Sequence, residues 1–294
     1  MFLVEHQLAG ILSMAYSLNN NYIEINELFK KIGPTIFSEK NFLQLIKGPK
    51  YTNKNLKKLL KNLFNSKRLS DINDINLIIT STDYTLSQPR IFENINLKTE
   101  QDLSLVEIGL CTSAAPTFFP AQEIKWKTLD YDLNHIPLNE KILLLSAVER
   151  NKLINSPDFN KSSIIFDGGL LENIPVISTY TTLHNELGVE PKDIDMFIIG
   201  TGNEIRNNYF SLEKINSWSI LTILTKLIIP YITNSNEQTS IFWGLQMGFN
   251  SFTYFNPINI SGDLDDLTIM DKIEKECLIH KDEFLSEITK FLEK

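Results

Sequence analysis

Apolar positions along the chain recur at two spacings, and the alternation between them predicts an α/β fold. Ile11, Leu12, Met14, Ala15 and Leu18 fall in one short run that stops at Asn19, Asn20 and Asn21, which reads as a buried helix with a polar stop signal. Leu56, Leu59, Leu60, Leu63 and Phe64 recur at helical spacing with Lys54, Lys57, Lys58 and Lys61 between them, the pattern of an amphipathic surface helix. Asn76 to Thr80, Ser163 to Phe166 and Asp195 to Ile199 are short β-rich runs closed by polar residues or glycine, and each reads as a strand. Strands separated by helical segments imply a mostly parallel central sheet flanked by helices in three layers, because parallel strands bury both faces and suit near-continuous apolar runs.

One continuous domain over residues 1–294 is the simplest organisation, since no internal repeat, low-complexity tail or Gly/Ser linker divides the chain. Between Lys125 and Ser162 the pattern becomes irregular, with His135, Pro137 and Pro157 among scattered apolar residues, and an insertion or flap is expected there. Trp218 to Ile232 is apolar but contains Lys226 and Pro230 and falls short of the roughly 20 residues that span a membrane, so it reads as a buried or interfacial helix. Asp263, Asp265 and Asp266 form an acidic cluster that reads as a solvated turn before a final helix rather than as a metal site.

Composition narrows the function. A formal net charge of −8 argues against a nucleic-acid partner, because phosphate recognition needs clustered Lys and Arg. Cys111 and Cys277 lack CxxC spacing, which indicates neither a disulfide framework nor a zinc site. Met1 to Val4 is too short an apolar run for a secretory signal, so the expectation is a cytoplasmic protein, or one exported by another route, with peripheral membrane contact open to it.

Two segments carry chemistry. Ser163-Ile-Ile-Phe-Asp-Gly-Gly-Leu-Leu-Glu-Asn-Ile-Pro175 runs a strand straight into Asp167, Gly168 and Gly169, placing an acid at a strand end where paired glycines allow a sharp turn. Cys111-Thr-Ser-Ala-Ala-Pro-Thr-Phe-Phe-Pro-Ala121 combines small residues with proline, as suits tight packing beside a strand. Gly200-Thr-Gly202 invites a phosphate-cradle reading, but no helix-opening GxGxxG or Gly-Lys-Ser/Thr follows, and a strand-to-loop turn is preferred.

With Cys111–Ala121 first and Ser163–Pro175 following at this separation, the two segments resemble the Ala-Ser-Ala-Pro-type and Asp-Gly-Gly/Ala motifs of the patatin-like phospholipases. Leu77-Ile-Ile-Thr-Ser-Thr-Asp83 with Pro89-Arg-Ile-Phe92, Phe197-Ile-Ile-Gly-Thr-Gly202 and Lys31-Ile-Gly-Pro-Thr-Ile-Phe37 are similar to family stretches as well, so the likeness covers nearly the whole chain. The resemblance implies a lipid acyl hydrolase acting on a lipid or membrane-surface substrate, with no metal or organic cofactor. In such enzymes a serine in a Gly-x-Ser-x-Gly elbow attacks the ester carbonyl and the aspartate of Asp-Gly-Gly serves directly as its general base. Asp167 matches that base, and Gly168 and Gly169 match its motif.

The nucleophile does not match. Glu5-His-Gln-Leu-Ala-Gly10 occupies the place of Gly-Thr-Ser-Thr-Gly-Gly, which puts Gln7 at the serine position and bulky residues where a strained strand-to-helix elbow needs glycine. The family's oxyanion loop lies upstream of the elbow and has no counterpart after Met1, so an N-terminally incomplete chain is expected; losing even one oxyanion donor costs ~10²–10³ in rate. Ser13, Ser17, Ser81 and Ser113 lack Gly-x-Ser-x-Gly flanks and read as structural, and His6, His135, His184 and His280 read as surface or packing residues. If the codons for Val4 to Gly10 are those that allow it, a shifted reading frame spells Gly-Thr-Ser-Thr-Gly-Gly, and a frameshift is one expected cause of the loss. The resulting expectation is a family hydrolase silenced at Gln7; the alternatives are a lipid- or partner-binding pseudoenzyme and a chain too destabilised to function.

Overall fold

The computed structural model describes residues 2–18, 21–37, 48–97, 99–125, 162–200, 202–204, 212–223, 228–257, 259–260 and 270–293. The first half of the chain supplies helices α1 (Phe2–Ser17), α2 (Tyr22–Ile36), α3 (Lys54–Phe64) and α4 (Leu105–Thr112), with strands β1 (Ile78–Asp83), β2 (Gln88–Glu93) and β3 (Gln122–Lys125). Then come β4 (Ser162–Asp167), α5 (Val176–Leu187), β5 (Asp195–Ile199), β6 (Asn203–Glu204), α6 (Leu212–Asn216), α7 (Ile220–Ile223) and α8 (Ile229–Gln246). Strands β7 (Ser251–Phe255) and β8 (Asn259–Ile260) and helices α9 (Met270–Ile279) and α10 (Lys281–Leu292) complete the described elements.

Local chemistry explains the helix boundaries. Asn21 caps α2 by accepting the Ile23 N–H at 3.0 Å. Ser104 opens α4 with a capping box: its hydroxyl accepts from the Glu107 N–H while the Glu107 carboxylate accepts from the Ser104 N–H. In α3 the apolar stripe at helical spacing is borne out, with Leu56, Leu59, Leu60 and Phe64 buried, Leu63 partly buried and the lysines between them exposed. The core gathers these side chains with Ile11, Met14, Tyr51, Ile79, Leu105, Ile108 and Ile165; α4 packs on β1 and β4, and α1 and α3 pack against α4.

The α/β architecture is as expected, but strand direction is mixed rather than mostly parallel. The main sheet has four strands in the order β2-β1-β4-β3, and every neighbouring pair in it is antiparallel. Residues 84–87 join β1 to β2, and a link that short can only fold the chain back on itself. Parallel pairing occurs at β5–β7 and β6–β8.

The strand expected over Asn76 to Thr80 lies two residues further along, and those at Ser163 and Asp195 stand where the pattern put them. Within Trp218 to Ile232 the described residues give α7 as far as Ile223 and α8 from Ile229, with Pro230 in its first turn, while 224–227 lie outside them; Ile228, Tyr231 and Ile232 are exposed, so of the two expectations the buried one does not hold. Lys125 pairs with Ser162 across β3 and β4; the insertion expected between them lies outside the described residues, as does the acidic cluster at 263–266. Among the described residues no helix is long and apolar enough to cross a membrane.

Candidate active site

Strand β4 delivers Asp167 to the point where the chain breaks from the sheet into a 3-10 turn over Gly168–Leu170. Gly168 presses against β1: a Cβ there would stand 2.5 Å from the Thr80 carbonyl oxygen, closer than any side chain tolerates. The turn brings the Gly169 N–H to Asp167 Oδ1 at 2.7 Å, so the residue after the tight position orients the carboxylate. Asp167 is also held through its backbone, its N–H donating to the Ala114 carbonyl at 3.2 Å and its carbonyl accepting from Thr82 Oγ1 at 2.7 Å. The Cys111–Ala121 and Asp-Gly-Gly segments, chosen separately from sequence, therefore meet at one aspartate.

That carboxyl group is only 5% exposed, and its Oδ2 has no hydrogen-bond partner among the described residues. Burial drives its pKa from the ordinary 3.8 up to about 7, against the lowering effect of the Gly169 N–H. Directly across the antiparallel pair stands Ser81, 1% exposed, whose Oγ likewise lacks a partner among the described residues. Along this face Ile79, Ser81 and Asp83 of β1 and Ser163, Ile165 and Asp167 of β4 point inward, which leaves polar side chains inside an otherwise apolar core. Asp83 Oδ1 accepts the Leu86 N–H at 3.0 Å.

Gln7 lies in the backbone of α1, one turn before Gly10. The strand-to-helix turn that the resemblance places over Glu5–Gly10 is absent, and the segment is continuous helix from Phe2. Its composition accounts for this, because Glu, Gln, Leu and Ala are good helix formers where an elbow would carry glycines. Gly10 still makes a close approach: a Cβ there would stand 3.0 Å from the Thr112 methyl and 3.1 Å from that of Ile79, so α1 abuts α4 and β1 at this point.

The other candidates separate clearly. Ser113 Oγ donates to the Gly109 carbonyl at 2.6 Å, Ser17 Oγ donates to the Ser13 carbonyl at 2.7 Å, and Ser13 is exposed. His184 lies near the Val189 carbonyl and the Tyr180 ring, and His280 lies 2.9 Å from Glu283; both are surface contacts. His135 is outside the described residues, and His6 is described only as α1 backbone. The Gly200–Gly202 loop holds a side chain, because Asn256 Oδ1 accepts the Gly202 N–H at 2.8 Å and Asn256 abuts Gly200 too closely for any Cβ. No cluster of three or more metal-binding side chains occurs among the described residues.

Two acids around the turn escaped sequence reasoning. Glu172, buried, accepts the Ile177 N–H at 2.7 Å, the Ser178 N–H at 3.2 Å and the Ser178 hydroxyl, which caps α5; burial raises its pKa against those bonds. An acid just ahead of Pro175 and the α5 start was the available signal. Glu237 on α8 accepts from Asn173 Nδ2 at 3.4 Å and from Tyr254 Oη at 2.6 Å, a meeting of distant segments that no local pattern announces.

Comparison with known proteins agrees with the motifs. Residues 8–180 match the family model of the patatin-like phospholipases. Patatin-like protein 2 of Arabidopsis thaliana is 26% identical over 69% of this chain and 48% of its own length. Patatin-like protein 2 of Oryza sativa subsp. indica is 35% identical over 35% of this chain and 28% of its own, and the cGAMP-activated phospholipase of Vibrio cholerae is 25% identical over 53% and 48%. The chain thus spans about half or less of the length of these relatives. With a family model covering more than half of its residues, and with Asp167, its two glycines and the Cys111–Ala121 segment joined in one place, the chain belongs to the patatin-like phospholipase family.

Proposed function

We propose that this chain is a lipid acyl hydrolase of its family in architecture, with Asp167 at the position of the general base, and that it does not turn over substrate because Gln7 stands at the position of the serine. The observation that carries the reading is Asp167 Oδ2: a buried carboxylate oxygen without a partner among the described residues, on a group whose pKa of about 7 suits proton transfer at neutral pH. An oxygen left orphaned in a dry site is costly, and a serine hydroxyl is the donor such a base would take. The substrate class is the acyl ester of a lipid.

The purified chain is expected to show no hydrolysis of short-chain nitrophenyl esters or phospholipid vesicles above background. Turnover that Asp167→Asn abolishes overturns the inactivity. Rebuilding the elbow with Glu5→Gly, His6→Thr, Gln7→Ser, Leu8→Thr and Ala9→Gly is expected to give labelling by a fluorophosphonate probe that depends on Asp167. A frameshift is the proposed cause of the substitution, and genomic DNA decides it: without a Gly-x-Ser-x-Gly codon set in any frame ahead of Ile11, that account fails.

Lipid binding without turnover is the second reading. It is favoured by the exposure of Tyr231 (66%), Phe242 (57%) and Trp243 (48%) on α8, since aromatic side chains partition to lipid interfaces. Co-sedimentation with phospholipid vesicles by a chain that shows no hydrolysis supports it, and absence of binding removes it.

A further inference from the structure

Helix α8 lies beyond the region that matches the family model, yet consecutive residues on it reach the turn that follows Asp167. Asn236 Nδ2 donates to the Leu170 carbonyl at 2.8 Å. Glu237, 9% exposed, accepts from Asn173 Nδ2 at 3.4 Å. The two contacts fall on either side of Leu171 and Glu172, so α8 grips the turn at two points.

Glu237 is itself braced. Tyr254 Oη on β7 donates to it at 2.6 Å and accepts from Asn256 Nδ2 at 2.6 Å, and Asn256 Oδ1 accepts the Gly202 N–H just past β5. Burial first, and then the Glu237 carboxylate, push the Tyr254 phenol above its ordinary range, which keeps it a donor. A chain of hydrogen bonds thus runs from the β5–β7 pair to Asn173. Asn173 Oδ1 would lie 3.1 Å from a Cβ on Gly169, so Asn173 borders the residue whose N–H orients Asp167.

We infer that Asn236 and Glu237 are positioning residues for Asp167: they fix the Asp-Gly-Gly turn so that the Gly169 N–H stays on Asp167 Oδ1. The inference rests on the reading of Asp167 as the family's base for its functional meaning, but its geometry is tested without any turnover. A merely structural acid on α8 would stabilise the fold without governing that one bond.

The test is an NMR titration of the Gly169 amide proton in the full chain, assigned by its loss of pH response in Asp167→Asn. In the native chain this proton is expected to follow the ionisation of Asp167. In Glu237→Leu the response is expected to fall by more than half and Gly169 exchange to rise about tenfold, while amides of β1 and β4 stay protected. Glu237→Gln, which keeps an acceptor for Asn173, is expected to restore most of the response. An unchanged Gly169 response in a folded Glu237→Leu chain overturns the proposal. If that variant does not fold, Asn236→Ala decides by the same criterion. Because no hydrolysis is read, catalytic silence or activity of the chain leaves the outcome unaffected.

Discussion

Ser81 and Asp167 occupy opposed positions on the inward face of the β1–β4 pair, and the Oγ of one and the Oδ2 of the other both lack partners among the described residues. Directly opposed residues in an antiparallel pair bring their Cβ atoms to roughly 5 Å, so the two side chains enter the core side by side. Each pays desolvation there without a compensating bond among the described residues.

Removing the hydroxyl of Ser81 should therefore cost little. Ser81→Ala is expected to leave the denaturation midpoint unchanged or to raise stability by up to ~1 kcal/mol, because no bond among the described residues is lost and a buried polar atom disappears. Ser113→Ala offers the contrast: it deletes the bond to the Gly109 carbonyl and should cost about 0.5–1.5 kcal/mol. Urea denaturation of both variants checks the pair, and a large loss in Ser81→Ala would mean that its hydroxyl has a partner after all.

Asp167 predicts a pH dependence of definite sign. Its folded pKa of about 7 lies above the ordinary 3.8 expected on unfolding, so between these values the folded state binds more protons than the unfolded one. The stability from this group is complete below about pH 4, falls as pH rises, and is lost above about pH 7, a span worth on the order of 4 kcal/mol. Glu172 and Glu93 are raised in the same direction by burial, so the whole profile does not isolate Asp167. The difference between native and Asp167→Asn chains does. Thermal melts should show the variant gaining on the native protein from pH 5 to pH 8, and a constant offset across that range would contradict the shift.

How much of this was legible in advance follows from the range of each interaction. The α3 stripe and the strands at Ser162 and Asp195 are local periodicities, so they appear in sequence. Asp167 with Gly168 and Gly169 was found because a strand, an acid and a tight turn are contiguous. Strand direction was not found, since pairing is decided by the short β1–β2 link and by contacts across the fold. The orphaned state of Ser81 was not legible either: its Gly-x-Ser-x-Gly-free flanks made it look like Ser113, and the two separate only in the fold, where Ser113 reaches the Gly109 carbonyl and Ser81 stands opposite Asp167. Glu237 depends on Asn173, Tyr254 and α8 arriving together from distant parts of the chain.

The two glycines after Asp167 should respond differently to substitution. Gly168→Ala places a methyl 2.5 Å from the backbone carbonyl of Thr80, which cannot rotate away, and should cost about 1–3 kcal/mol as the turn shifts off β1. Gly169→Ala meets only Asn173 Oδ1 and Asp167 Oδ1, both at 3.1 Å and both on side chains, so the smaller loss is expected. Its effect should instead register at the carboxylate, as an altered Gly169 to Asp167 bond. Calorimetric melting ranks the two, and equal losses would mean that the Thr80 contact is not what requires the first glycine.

Glu172 provides the last expectation, because it satisfies groups that a helix start leaves unpaired. α5 begins at Val176 behind Pro175, and no side chain at Pro175 can cap it. The carboxylate of Glu172 takes over that work from outside the helix by accepting from the Ile177 and Ser178 N–H groups and from the Ser178 hydroxyl. In Glu172→Ala the buried Ser178 donors and the part-buried Ile177 N–H lose their acceptor, and a loss of about 2 kcal/mol is expected, above that of an exposed cap. Glu172→Gln retains one oxygen for the backbone amides and should recover about half. Hydrogen exchange at Ile177 and Ser178 locates the effect: exchange that rises evenly across α5, with no excess at these two amides, would assign the loss to general unfolding rather than to the cap.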